Sequence, residues 1–148
     1  MKLGDFLSSV PRSSAPPERV EFTVIHRAQN GAKTPVRAYA IFDLVTEREQ
    51  QQAEAEALKA LQGQQTDKGV VPAGLPDALE RAYFLEAALR DHDSPLERFA
   101  TAAELQAAVP RRELERLHSA YAVWSENHYP KQISKAARDE LKQEARGK

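Results

Sequence analysis

The feature that most constrains this chain is a change of hydrophobic period at Thr46. Upstream of it, Val20-Glu21-Phe22-Thr23-Val24-Ile25-His26 alternates apolar with polar side chains and is rich in branched and aromatic residues, the pattern of a half-buried strand. Val36-Arg37-Ala38-Tyr39-Ala40-Ile41-Phe42-Asp43-Leu44 uses the same vocabulary. Between them lies Gln29-Asn30-Gly31, a turn signal inside a connection too long for a two-residue loop, so the two runs predict a hairpin with a roomy turn. Two strands alone are marginal in water. The pair must therefore pack on helices, gain a third strand from the N-terminal arm, or pair with another subunit.

Downstream the period becomes helical. Thr46-Glu47-Arg48-Glu49 matches a capping box, in which the threonine hydroxyl accepts from the third backbone amide and the glutamate reaches back to the cap amide. A helix to about Leu61 follows, with an apolar face made mostly of alanine; Ala53, Ala57, Leu58 and Leu61 are expected to face the body of the fold. Residues 62–76 hold three glycines and two prolines and read as a loop. A second helix is expected from Pro76-Asp77 to Arg90, with Leu79, Ala82, Tyr83 and Glu86 or Leu89 in a stripe widened by Phe84, Leu85 and Ala88, the best candidate for a central core helix. Thr101-Ala102-Ala103-Glu104 is a second capping box, for a short helix to Ala108. Pro110 then suits the first turn of a last helix from Arg111 to about Asn127, where Leu114, Leu117, Tyr121 and Trp124 line one face.

Composition sets the scale of the core. The chain has 148 residues, room for one domain and no more, and 24 of its apolar residues are alanine, which predicts thin helix packing. The fold class that results is α+β, mainly α: a small N-terminal hairpin or sheet followed by a bundle of four to five helices. Residues 8–18 contain three prolines and four serines, so residues 1–19 read as a flexible arm, residues 20–130 as a single α+β domain, and residues 131–148 as a basic helical or frayed tail.

Charge and cysteine content remove several functional classes. With 21 basic against 22 acidic residues there is no global field to draw in nucleic acid or an anionic membrane. Absence of cysteine rules out a disulfide framework, a thiol nucleophile and a zinc ribbon. No apolar run approaches the roughly 18–20 residues that span a bilayer, and the first residues lack the apolar stretch of a secretory signal, so the expected address is the cytoplasm.

Candidate chemistry is sparse. Four histidines are present, at 26, 92, 118 and 128, and no two stand at the i, i+4 spacing of a helical metal site. Asp91-His92-Asp93 is the nearest approach to a ligand cluster, and a polar helix-ending turn explains it better. Glu115 and His118 read as a surface pair rather than an acid/base dyad. Lys68-Gly69-Val70-Val71-Pro72-Ala73-Gly74 lacks the preceding strand and the basic residue of a phosphate loop. Lys131, Lys135, Arg138, Lys142 and Arg146 recur along one helical side, but Asp139, Glu140 and Glu144 interleave with them, which favours a salt-bridged solvated helix over a nucleic-acid surface. No catalytic residue, metal ligand or cofactor-binding residue is assigned, and no cofactor is expected. The aromatics Phe99, Tyr121, Trp124 and Tyr129 are the residues with most to offer, first as core material and second as a partner-docking face.

The order of these features resembles a known family. Two strands containing Thr34-Pro35-Val36-Arg37-Ala38-Tyr39 lead into the capped helix at Thr46-Glu47-Arg48-Glu49. Then come Leu85-Glu86-Ala87-Ala88-Leu89-Arg90-Asp91 with Ser94-Pro95, Phe99-Ala100-Thr101-Ala102-Ala103-Glu104-Leu105, a proline-led Arg111-Arg112-Glu113-Leu114, and Leu117 to Tyr121. Over roughly residues 20–130 this is similar to the tail assembly chaperones of long-tailed, siphovirus-type bacteriophages. The resemblance implies a non-enzymatic protein of the host cytoplasm that shields the tape measure protein, recruits tail tube subunits and is absent from the finished virion. The proline-serine arm and the basic tail have no counterpart in the family pattern. Two other readings stand beside it: a structural virion or injection-machine adaptor whose strands complete a neighbour's sheet, and a small nucleic-acid-binding regulator. A homo-oligomer is compatible with each.

Overall fold

A computed structural model of the chain describes residues 2–9, 18–64 and 73–128. The elements in chain order are α1 (Leu3–Ser9), β1 (Arg19–Arg27), β2 (Lys33–Phe42), α2 (Glu47–Gly63), α3 (Leu75–Ala88), β3 (Leu89–Arg90), α4 (Ala102–Ala108) and α5 (Arg111–His128). The fold is α+β and mainly helical, a three-stranded antiparallel sheet in the order β1-β2-β3 with α2, α4 and α5 packed around α3.

β1 and β2 form the expected hairpin, with Val20 opposite Ala40, Phe22 opposite Ala38 and Val24 opposite Val36. Alternation puts these even-numbered side chains on one face. Phe22, Ala40 and Phe42 from that face are buried against Leu85, Ala88, Leu105, Leu114 and Leu117. The connection of residues 28–32 is closed by the Ala28 N–H donating to the Ala32 carbonyl at 2.9 Å, and by Asn30 Oδ1 accepting from the Ala32 N–H at 3.0 Å. Gly31 supplies the positive φ of 85° that this turn requires.

The third strand comes from an unexpected place. The sequence pattern carries helix α3 to Arg90, but the helix ends at Ala88 and Leu89–Arg90 pair with Phe42 and Ile41. Three tertiary bonds outcompete one more helical turn. The Asp43 N–H donates to the Ala88 carbonyl at 2.8 Å, the Phe99 N–H donates to the Leu89 carbonyl at 3.2 Å, and the Asp91 N–H donates to the Glu97 carbonyl at 2.9 Å. Leu89 is fully buried as a result. Arg90, with a mostly buried side chain, is bracketed by Asp43 Oδ2 at 3.3 Å and Glu49 Oε2 at 3.5 Å, tying the sheet to the first turn of α2.

Both capping boxes form. Thr46 and Thr101 each accept from the third helical amide, and Glu49 and Glu104 each accept from the cap amide. On α2, Ala53 and Ala57 face inward as expected, whereas Leu58 is 56% exposed. In an alanine-faced helix a leucine one position off the buried row turns about 100° away from it, and nothing in the α2 pattern marks that row uniquely. Residues 3–9 of the arm, expected to be flexible, form helix α1, in which no residue is buried. The rest of the arm from residue 10 to 17, the loop from 65 to 72, and the tail from 131 to 148 lie outside the described residues. Among the described residues no helix is long and apolar enough to cross a membrane.

Candidate docking surface

The described aromatic residues of this set pack inward to different depths. Tyr121 is buried, its hydroxyl accepts from the Val45 N–H at 2.9 Å, and its ring meets the Phe84 ring at 4.9 Å and 78°. It belongs to the core, not to a docking face. Phe99 is half-buried and stands edge-on to Phe22 at 5.4 Å, so it too packs inward. Trp124 is half-buried, its ring 5.5 Å from that of Phe42 and 4.2 Å from that of His128. Tyr121 and Trp124 come together, Phe99 sits apart on Phe22, and Tyr129 lies outside the described residues.

The polar clusters resolve into structural contacts. Asp91 Oδ1 accepts from the Asp93 N–H at 2.8 Å, which makes Asp91-His92-Asp93 a self-contained turn. Among the described residues no group of three His, Asp or Glu side chains is placed to hold a metal ion. Glu115 pairs with Arg111 at 3.7 Å, while the His118 ring stands edge-on to Phe84 at 5.1 Å. Partial burial of that ring, and secondarily the charge of Arg81, hold its pKa below the ordinary histidine value. A pocket of about 280 Å³ between α2 and α3 gathers Glu49, Glu56 and Glu86. Glu49 is committed to the Thr46 cap and Arg90, and Glu86 to the Ala102 N–H at 3.0 Å and to Arg98 at 3.2 Å.

The free edge of β1 is covered in part. The Arg116 guanidinium donates to the Glu21 carbonyl at 2.7 Å, and Glu113 accepts from the Thr23 N–H at 3.5 Å. Glu113 and Arg116 also pair with each other at 2.7 Å, and this contact is the main reason the Glu113 carboxyl lies below its usual pKa. Charged side chains over an outer strand block the backbone groups that another strand would use.

An open apolar groove of about 310 Å³ lies where α3, α4 and α5 meet. Val109 and Leu114 form its floor and are almost fully buried; Leu75 and Ala78 form a half-buried wall. Arg81 and Arg111 line it as well, with Arg111 exposed to solvent. Gly74, just before α3, has a φ of 80°, and a Cβ there would stand 2.9 Å from the Arg111 guanidinium. Glycine therefore serves the positive φ of the turn, while the exposed end of the Arg111 side chain could shift to admit a Cβ. The pattern of α5 identifies Leu114 as core, but the groove is assembled from the ends of three helices and has no linear signature. Comparison with family models gave no match, and neither the curated proteins nor the solved structures gave a significant one.

Proposed function

We propose that this protein is a tail assembly chaperone of the phage type, which shelters an apolar-striped helix of another chain, the tape measure protein, until tail tube subunits replace it. The observation that supports this reading is the α3/α4/α5 groove, with apolar floor and wall and cationic flanks. Such a surface takes a few side chains of an amphipathic helix through non-directional burial, the recognition mode suited to a helix laid in a groove. It is shallow. A client held by few anchors leaves readily, and leaving is what hand-over to polymerising tube subunits demands.

The adaptor alternative, in which β1 completes a neighbour's sheet, is disfavoured by the Glu113–Arg116 pair over the β1 edge. Co-expression with a tape-measure-like coiled coil tests the chaperone reading. The client is expected to remain in the supernatant with the wild type and to aggregate with Ala78→Glu, which places a charge on the groove wall. Equal client aggregation with and without this chain would refute it, as would recovery of the chain in stoichiometric amount from mature particles.

A further inference from the structure

The chain is close to neutral as a whole, but its charge is not spread evenly. Residues 22–42, most of the β1–β2 hairpin, hold Arg27, Lys33 and Arg37 and no acidic side chain, whereas the other described residues hold 10 basic against 18 acidic ones. None of the segments between or beyond the described residues carries net negative charge. Residues 10–17 have one basic residue, residues 65–72 one of each sign, and residues 129–148 six basic against three acidic.

Strand alternation gathers the hairpin cations on one face. The even-numbered Phe22, Ala40 and Phe42 lie in the core, so the odd-numbered side chains stand on the opposite face. There Arg27 is opposite Lys33, Thr23 opposite Arg37, Glu21 opposite Tyr39, and Arg19 opposite Ile41. Rows on one face are about 6.8 Å apart, so these four cations extend over about 27 Å. Glu21 is the only acidic side chain among these odd-numbered strand residues, and it is shared by Arg19 at 4.0 Å and Arg37 at 3.8 Å. The acids flanking the strands are already engaged, Asp43 with Arg90 at 3.3 Å and Glu113 with Arg116 at 2.7 Å. Arg27 uses one donor on the Gly31 carbonyl at 3.2 Å and keeps the others.

The same face carries a stacking plate. The Arg19 guanidinium lies over the Tyr39 ring at 4.6 Å from its centroid, and Tyr39 is 42% exposed. Unpaired bases stack on guanidinium planes and on aromatic rings alike. An acidic polypeptide would satisfy the cations but has nothing to lay on the plate, and a duplex keeps its bases stacked inside. We infer that the odd-numbered face of the hairpin binds single-stranded nucleic acid, its sugar–phosphate chain along Arg27, Lys33 and Arg37 and a base stacked on the Arg19–Tyr39 plate. The groove proposed for a client helix lies on α3, α4 and α5, so this inference is independent of the client reading.

Fluorescence anisotropy of a labelled oligothymidine with the full chain tests it. Binding is expected to weaken with salt, with a slope of log association constant against log salt of about −2.8 for four phosphates neutralised on a single strand. Lys33→Ala combined with Arg37→Ala, both exposed, is expected to keep the wild-type melting profile, bind roughly tenfold more weakly or worse, and reduce the slope to about −1.4. Tyr39→Ala is expected to lose roughly tenfold in affinity at an unchanged slope, the mark of stacking rather than charge. Absence of binding at low salt, a double variant that binds like wild type, or a Tyr39→Ala affinity that does not move overturns the inference. Equal binding of polyglutamate, or of the matching duplex, overturns it as well.

Discussion

α1 and α4 are both seven residues long, and they have opposite fates. α4 carries one large apolar residue, Leu105, which is fully buried; α1 carries three, all exposed. α4 starts in a capping box and is fastened to α3 by the Ala102 N–H donating to Glu86. α1 shows short-range bonds, such as the Ser8 hydroxyl to the Gly4 carbonyl at 2.9 Å and the Ser9 hydroxyl to the Phe6 carbonyl at 2.7 Å. The difference teaches that apolar content does not settle a short helix. A seat does, and among the described residues α1 is not buried against one.

Substitution at the two apolar stripes gives the largest expected contrast. Leu105→Ala opens a cavity beneath α4 and is expected to lower stability by about 2–5 kcal/mol in denaturant unfolding. Phe6→Ala is expected to change stability by no more than about 0.5 kcal/mol, since its ring is 53% exposed. A large loss of stability on changing Phe6 would mean that α1 packs on its own body, and the contrast would collapse. Trp124→Ala comes next, at about 1–3 kcal/mol, since its ring is only half-buried beside Phe42. Trp124 lies ten residues beyond Leu114 on α5, about 15 Å along the helix axis. Client retention should therefore survive that change, and its loss would return the docking role to the aromatic cluster.

Local features of this fold were legible in the sequence and assembled ones were not. Thr46 and Thr101 could be read as caps because every atom of a capping box lies within four consecutive residues. The hairpin likewise follows from alternation and a turn, while its register is seen only in the structure. The end of α3 was missed because Leu89 and Arg90 are sound helix residues, and what straightens them is Phe42, Asp43 and Phe99, distant in sequence. Leu3, Phe6 and Leu7 did carry a helical spacing, but the proline-serine run beside them dominated the reading of the arm. The candidate site moved for a similar reason: Tyr121 is a strong anchor type wherever it falls, and only the tertiary fold shows that Val45 and Phe84 already occupy it.

The smallest effects test whether α4 owes its order to its cap as well as its seat. Thr101→Ala removes the hydroxyl that accepts from the Glu104 amide and is expected to cost about 1 kcal/mol. Glu104 gives a subtler readout. Its hydrogen bonds with the Thr101 backbone and side chain hold its pKa below the ordinary glutamate value. In the interval below about pH 4.3 the unfolded chain then binds more protons than the folded one, so this stabilisation is present above that pH and is lost as pH falls through the folded-state pKa. Glutamine at the same position keeps the capping geometry and has no proton to bind. Glu104→Gln should accordingly flatten part of the acid limb of a melting-temperature profile without changing its neutral plateau by much. Glu113, depressed by Arg116, keeps the remainder of that limb in place. An acid limb identical to wild type in Glu104→Gln would show that the box contributes no linkage and that burial of Ala102 and Leu105 alone holds α4.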